Sequence, residues 1–379
     1  MSRPLRIRGR LTAITLACLT TGIMPASADP TAGAVSPNVE HLAHVPFDVG
    51  TATGLRIVGD YMYVTSWRHF SIYNVSAPTT PALLSTTPFG FQYENEDVAT
   101  NGKILLFAET APLPRIHVWD VEDKTNPQEI ATLDVPLGNS VPGGEHTVSC
   151  ILGCTFAYGS AGSVIDLRNP AQPKIIGNWL KVTGAKDEVH DVDEVKNGLI
   201  VTAPLDTGFQ VIDVRAPTRP KVLAQGAPPS GGWIYHGSRW PRRGADDFLM
   251  MNGEGSAAPL QTYATRGWRK TKTFRRIDSY EMTGGGNIVD GRSPKGNESA
   301  HWFQENPTFH NGGYVAAGWF AQGTRVLHVD GAGKIKEVGY FLPYVGDTWA
   351  SYWVDDEIIY SVDLVRGIDI LRFDRTLPA

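Results

Sequence analysis

The sequence is short of cysteine, of charge and of long apolar runs. Three cysteines occur in 379 residues and no matching ligand motif accompanies them, which argues against a cysteine metal site. Charged residues make up 19 % and the formal net charge is −5, so the chain lacks the broad positive field that nucleic acid binding needs. No stretch is long and apolar enough for a comfortable transmembrane helix. A glycine-rich phosphate loop, a nucleophile elbow and an HExxH helix are all missing. Punctuation, by contrast, is plentiful. Forty glycines and 26 prolines recur between short apolar runs, which reads as an all-β chain rather than a helical one.

The N-terminus reads as a targeting segment. Arg3, Arg6, Arg8 and Arg10 precede an apolar stretch from Leu11 to Met24, and Ala26-Ser27-Ala28 supplies small residues for cleavage. Residues 1–28 are therefore expected to be a signal peptide cut after Ala28, giving a secreted protein. There is no twin-arginine pair, which points to the general secretory route, and Thr15-Leu16-Ala17 before Cys18 is a poor lipidation match. Residues 29–38, rich in Ala, Pro, Ser and Gly, are expected to form a flexible leader. Loss of Cys18 leaves Cys150 and Cys154, and an even pair in an exported chain predicts a disulfide, here across a hairpin that turns at Gly153. So short a loop predicts modest stabilisation.

Four ten-residue segments carry the organisation: IYNVSAPTTP from Ile72, VWDVEDKTNP from Val118, VIDLRNPAQP from Val164 and VIDVRAPTRP from Val211, with starts 46, 46 and 47 residues apart. Asn74, Asp120, Asp166 and Asp213 share one slot, where a short polar side chain can bond nearby backbone N–H groups and set a turn. Pro81, Pro127, Pro173 and Pro220 then limit where the next strand begins. Degenerate copies start at Val326 and Ile370, and one more fits between Val211 and Val326, ending near Arg276–Tyr280. A period near 45 residues with recurrent Gly and Pro predicts an all-β, seven-bladed β-propeller of four-stranded antiparallel blades. It forms a single domain over residues 39–379, with an insertion in blade five at about 238–276. The last copy leaves no room for an outer strand, whereas VEHLAHVPF from Val39 resembles the outer strands elsewhere. Residues 39–47 are therefore expected to close the ring on the final blade.

These repeats resemble those of the LVIVD-repeat proteins, a group of extracytoplasmic propellers named for a motif like VIDVRAPTRP. The run GTRVLHVDGAGKIKEVGYFLPYVGDTWASYWVDDEIIYSVDLVRGIDIL is similar to the closing blades of actinobacterial members. The resemblance spans the whole mature chain and implies a propeller fold. It implies no particular activity, so function has to be argued from a site.

Aligning the first strands of the blades places Thr53, Glu96, His146 and His190 at one slot, and His236 and His301 open the corresponding strands of the next two blades. The seventh blade offers Trp349 or Ser351. The chain has only 10 histidines, so four on consecutive blades at one slot form a pattern. Innermost strands of a propeller face a common axis, and imidazoles converging there can coordinate a divalent transition metal such as Fe, Cu, Mn or Zn. The arrangement resembles the four-histidine iron site of the propeller-shaped carotenoid-cleavage oxygenases, a geometric analogy only. Metal ligands are thus expected at His146, His190, His236 and His301, with Glu96 as a further ligand or base. Glu145, Glu188 and Asp191 are expected to orient the imidazoles. The competing reading is a polar plug of channel residues bonded to one another and to water.

Trp240, Trp302, Trp349 and Trp353 neighbour the same slots and can form an apolar vestibule or pack between blades. Trp268, with Arg266, Arg269, Lys270, Lys272, Arg275 and Arg276, reads as a basic loop that is solvated or touches an acidic ligand. The functional expectation is a monomeric metal-dependent oxidoreductase acting on a small-molecule or peptide substrate. Its alternative is a non-catalytic propeller that binds a cell-surface protein or glycan.

Overall fold

The computed structural model describes residues 33–47, 52–90, 95–110, 113–136, 144–185, 188–255, 257–282 and 299–378. The expected signal peptide and the first part of the expected leader lie outside them. Among the described residues, no helix is long and apolar enough to cross a membrane.

Seven antiparallel sheets form a seven-bladed propeller. Blade one, for example, runs Ala52–Val58, Tyr61–Ser66, His69–Asn74 and Ala82–Pro88 in the order of the chain. The repeat segments are the third strands and the turns that follow them. Their shared polar slot works as the sequence predicts: Asn74, Asp120, Asp166 and Asp213 each accept a hydrogen bond from the backbone N–H two residues on, at 2.9–3.1 Å. Arg168 and Arg215 then pair with the aspartates that hold their own N–H groups.

The core lies between blades rather than within them. Blade one packs Leu55, Met62 and Val64 against Tyr360, Val362 and Ile368 of blade seven, and Tyr360 donates its hydroxyl to the carbonyl of Pro78 at 2.6 Å. Apolar residues at alternate strand positions thus serve the two neighbouring interfaces of each sheet.

The N-terminal strand Val39–Pro46 closes the ring, pairing antiparallel with the last strand Gly367–Phe373 from Val39↔Phe373 to Pro46↔Gly367. Closure covers both edges with main-chain hydrogen bonds from opposite ends of the chain. At its centre Asp369, fully buried, accepts hydrogen bonds from His41 Nε2 at 2.8 Å, His44 Nδ1 at 2.9 Å and Arg366 at 2.8 Å.

Two expectations about segment boundaries need correcting. The supposed flexible leader is ordered from residue 33: Gly33–Val35 adds a fifth strand to blade six, pairing with Ile335–Pro343. The reason is an available edge, whose main-chain groups take Gly33, Ala34 and Val35 as partners. Ser36 and Asn38 then bond Tyr340 and Val338 and carry the chain across to blade seven. Likewise, most of 238–276 is not an insertion. It holds Phe248–Gly255 and Leu260–Ala264, the second and third strands of blade five, and the fourth is Arg275–Tyr280. The extra chain in this stretch lies in two lengthened turns, Pro241–Gly244, where Arg242 and Arg243 take left-handed backbone angles, and the single-turn helix Trp268–Thr271.

Candidate metal centre

The slot alignment corresponds to a backbone device. In blades one, four, five and seven the register of the inner strand slips by one residue at Ala52/Gly54, Val189/Asp191, Tyr235/Gly237 and Thr348/Ala350. The extra residues are Thr53, His190, His236 and Trp349. A β-bulge leaves its additional residue unpaired and re-aims the side chain, and here the two bulged histidines turn towards the axis. Glu96, His146 and His301 reach the same level from the segments just before their inner strands. Glu96 comes in against Gly54, where a Cβ atom would meet its carbonyl oxygen at 2.1 Å, so that approach requires glycine.

The four predicted histidines and Glu96 come together. His146, His190 and His301 each place Nε2 3.1 Å from a Glu96 carboxylate oxygen, and His236 places Nε2 at 3.5 Å. His146 and His190 bring their Nε2 atoms within 3.0 Å of each other. Glu96, His190, His236 and His301 are buried, and His146 is partly exposed at the rim. Two overlapping groups, Glu96–His190–His236 and His236–Glu254–His301, can each hold a metal ion, with ligand atoms within 4.8 Å of one another.

Bonds around the ring fix parts of this geometry. His301 Nδ1 donates to the carbonyl of Trp349 at 2.7 Å, which sets the tautomer and leaves Nε2 as the atom facing the centre. Asn252 accepts the N–H of Gly237 at 2.9 Å and donates to the carbonyl of His301 at 3.0 Å, tying the bulge of blade five to blade six. Trp302 Nε1 donates to Glu96 at 3.0 Å. His236 is different. Among the described residues neither of its ring nitrogens makes a well-formed hydrogen bond, its Nε2 standing 3.5 Å from Glu96, and His190 Nδ1 makes none either.

The electrostatics follow from burial and crowding. Burial raises the Glu96 carboxyl, but the imidazoles of His301, His190 and His236 outweigh it and hold the group well below the usual carboxylate range. Burial, reinforced by His190 and His301, pushes His236 well below an ordinary histidine. Burial also lowers His301, but facing Glu96 raises it overall. Glu96 is thus an anion and His236 a neutral imidazole at neutral pH, the forms in which both ligate metals.

Above the cluster opens a vestibule of ≈ 230 Å³ lined by Val189, Leu205, Ile234, Glu254 and Trp349 beside the site residues. Glu254 was not among the sequence candidates. It lies on the second strand of blade five, opposite Ile234, so an alignment of first strands passes over it. Trp302 and Trp349 border the site, whereas Trp240 and Trp353 are packed in the cores between blades.

Two of the three expected supporting residues have other work. Glu145 accepts the N–H groups of Ala161 and Ser163 and so holds the hairpin turn of its own blade. Glu188 lies buried next to Glu145. Asp191 turns to the opposite side of the cluster, where Ser149 donates towards it at 3.3 Å; burial and the neighbouring Asp97 and Asp193 push its carboxyl well up. A bulge between His190 and Asp191 breaks the simple inference that neighbours in sequence support each other. The basic segment of blade five is an exposed outer turn, with Arg269 over the Trp268 ring at 4.3 Å and Arg266 paired to Asp247 at 2.7 Å. The predicted disulfide is present, joining Cys150 and Cys154 across a Cα separation of 4.5 Å.

Six four-stranded sheets and one of five strands around a polar axis define a seven-bladed β-propeller. The chain carries the LVIVD repeat, which matches residues 49–87, the stretch that contains blade one. Among solved structures, the WD40 β-propeller domain of Doa1 is similar, with a TM-score of 0.60 over 91 % of this chain and 100 % of that one. At 10 % identity that likeness concerns the fold alone. No curated protein matches the chain.

Proposed function

We propose that this propeller is a metal-dependent oxidoreductase whose axial site holds one transition-metal ion on His146, His190, His236 and His301, with Glu96 completing the ligand set. The observation that carries this reading is His236, a fully buried imidazole at the centre of the cluster whose Nε2 stands 3.5 Å from the Glu96 carboxylate and whose nitrogens make no well-formed hydrogen bond among the described residues. Imidazole nitrogens packed this close to a carboxylate and to three further imidazoles are placed to share one cation. Part of the spacing supports the same reading. Ligands about 2.1 Å from a metal lie roughly 3.0 Å apart at a right angle and 3.4 Å at a tetrahedral one. The four imidazoles lie 3.1–3.5 Å from Glu96, and Glu96, His190 and His236 form a group with ligand atoms within 4.8 Å of one another.

Imidazole with carboxylate suits iron, copper, manganese or zinc. Such an ion supplies Lewis-acid or redox chemistry when bound. The protein's own contribution is to fix His301 through Trp349, to keep His236 neutral by burial, and to hold Glu96 ionised. The vestibule gives a small molecule access on the side of His146 and Glu254, and its apolar wall of Val189, Leu205 and Ile234 favours an uncharged part of the substrate. Export belongs to the same proposal; the Cys150–Cys154 disulfide supports an oxidising compartment.

Elemental analysis tests the proposal. The purified chain, exposed to Fe, Cu, Mn and Zn salts and then desalted, is expected to retain about one ion per molecule, while His190→Ala retains less than a tenth of that. A wild-type chain that stays folded and metal-free after every loading would reject it.

A further inference from the structure

The axis of the ring holds two cavities. Below Glu96 and Trp302, on the side away from the vestibule, lies a second chamber of ≈ 210 Å³. Its wall carries Asp97, Asp191 and Asp193 with Arg56 and Arg239, and Glu305 faces Arg239 from behind that lining. Arg56 pairs with Asp97 at 3.2 Å. Arg239 stands between Asp193 and Glu305 at 3.7 Å from each, outside hydrogen-bond reach. Asp191 has no ion pair among the described residues and shares the Ser149 hydroxyl with Asp97. The chamber therefore holds more carboxylates than guanidinium groups.

An independent feature points to an occupant. Ser238 is 5 % exposed, lines this chamber, and its hydroxyl has no hydrogen-bond partner; the Gln304 Oε1 in the same wall is also unbonded. Carboxyl oxygens in excess of guanidinium donors, with unmet polar atoms beside them, call for a guest that brings several N–H donors and a positive charge. A bare metal ion does not fit: among the described residues, three ligating groups within mutual reach occur only at the histidines. A primary ammonium does, because its three donors can bridge acceptors too far apart to chelate.

We propose that the lower chamber binds the primary ammonium group of a small organic amine. Glu96 and Trp302 form the wall it shares with the histidine cluster, but the acceptors argued from here face the lower chamber, and binding there needs no metal on the histidines.

Isothermal titration of the full chain with butylammonium tests it, with tetramethylammonium (charge without N–H) and butanol (a donor without charge) as controls. Saturable binding of butylammonium is expected, at least roughly tenfold tighter than either control and weakened roughly tenfold in Asp193→Asn, the loss of one charged hydrogen bond. Ser238→Ala, which removes a single hydroxyl and leaves every charge, is expected to weaken binding severalfold and keeps the test open if Asp193→Asn fails to fold. Binding should persist in His146→Ala, which separates this site from the metal proposal. No saturable binding by the wild type, tetramethylammonium binding as tightly as butylammonium, or undiminished binding in Ser238→Ala would overturn the assignment.

Discussion

Two buried carboxylates in this ring are surrounded by histidines, and they differ in what is left over. Asp369, at the closing strand, accepts from His41, His44 and Arg366 at 2.8–2.9 Å. Glu96, on the axis, faces four imidazoles, yet among the described residues His236 makes no well-formed hydrogen bond with either nitrogen. The first cluster pairs its charge with a guanidinium and directed donors, and so it fastens blade seven to the N-terminal strand. The second holds ligand atoms closer together than their own hydrogen bonding accounts for. Complete satisfaction marks a structural site, and organised incompleteness marks a functional one.

The comparison can be broken by substitution. Asp369→Ala strands Arg366 and two imidazoles in a buried seam, and chemical denaturation should show a loss of about 3–5 kcal/mol. The same seam has an acid limit. Burial raises the Asp369 carboxyl, but the hydrogen bonds of His41, His44 and Arg366 outweigh it and depress its pKa. A depressed carboxyl gives stability that is complete above the unfolded value of about 3.9 and is lost as pH falls below it. Wild-type stability should therefore decline below about pH 4, and Asp369→Asn, already weaker at neutral pH, should lose less across that window.

Smaller effects sharpen the contrast. His44→Leu removes a hydrogen bond to a charged group and should cost about 1.5–3 kcal/mol in the same assay. Replacing Cys150 and Cys154 by serine opens a loop of sequence separation 4, and the expected loss is about 2 kcal/mol or less. His236→Leu should cost least. It deletes two nitrogens that make no well-formed hydrogen bond among the described residues, so the metal-free protein is expected to change by less than about 1 kcal/mol, even though the residue is fully buried. A loss as large as that of Asp369→Ala would show the axial cluster to be structural after all.

Much of the fold was legible because the repeat is a physical unit. The polar slot at Asn74, Asp120, Asp166 and Asp213 sets the same turn each time, and Val39–Pro46 could be assigned to the ring's gap because it reads as an outer strand with no blade of its own. Blade five was misjudged because its turns are lengthened at Pro241–Gly244 and Trp268–Thr271, which blurs the spacing of Phe248–Gly255 and Leu260–Ala264. Gly33–Val35 has no strand signal, since an edge supplied by a segment 300 residues away decides its conformation. At the site, the histidine slot was visible in the alignment, but the bulges that aim His190 and His236 were not. A bulge also parts Asp191 from the side of its neighbour His190, which is why proximity in sequence misassigned it. Glu254 escaped because its strand is second in its blade, and Trp302 showed its bond to Glu96 only in three dimensions.

Crystallographic anomalous scattering from metal-loaded protein, collected at the absorption edge of the retained element, tests the central claim most directly. The account predicts a single strong peak on the propeller axis, about 2.0–2.2 Å from the Nε2 atoms of the four histidines and from a Glu96 oxygen. A map without an axial peak, or with its strongest peak away from His236, would contradict it.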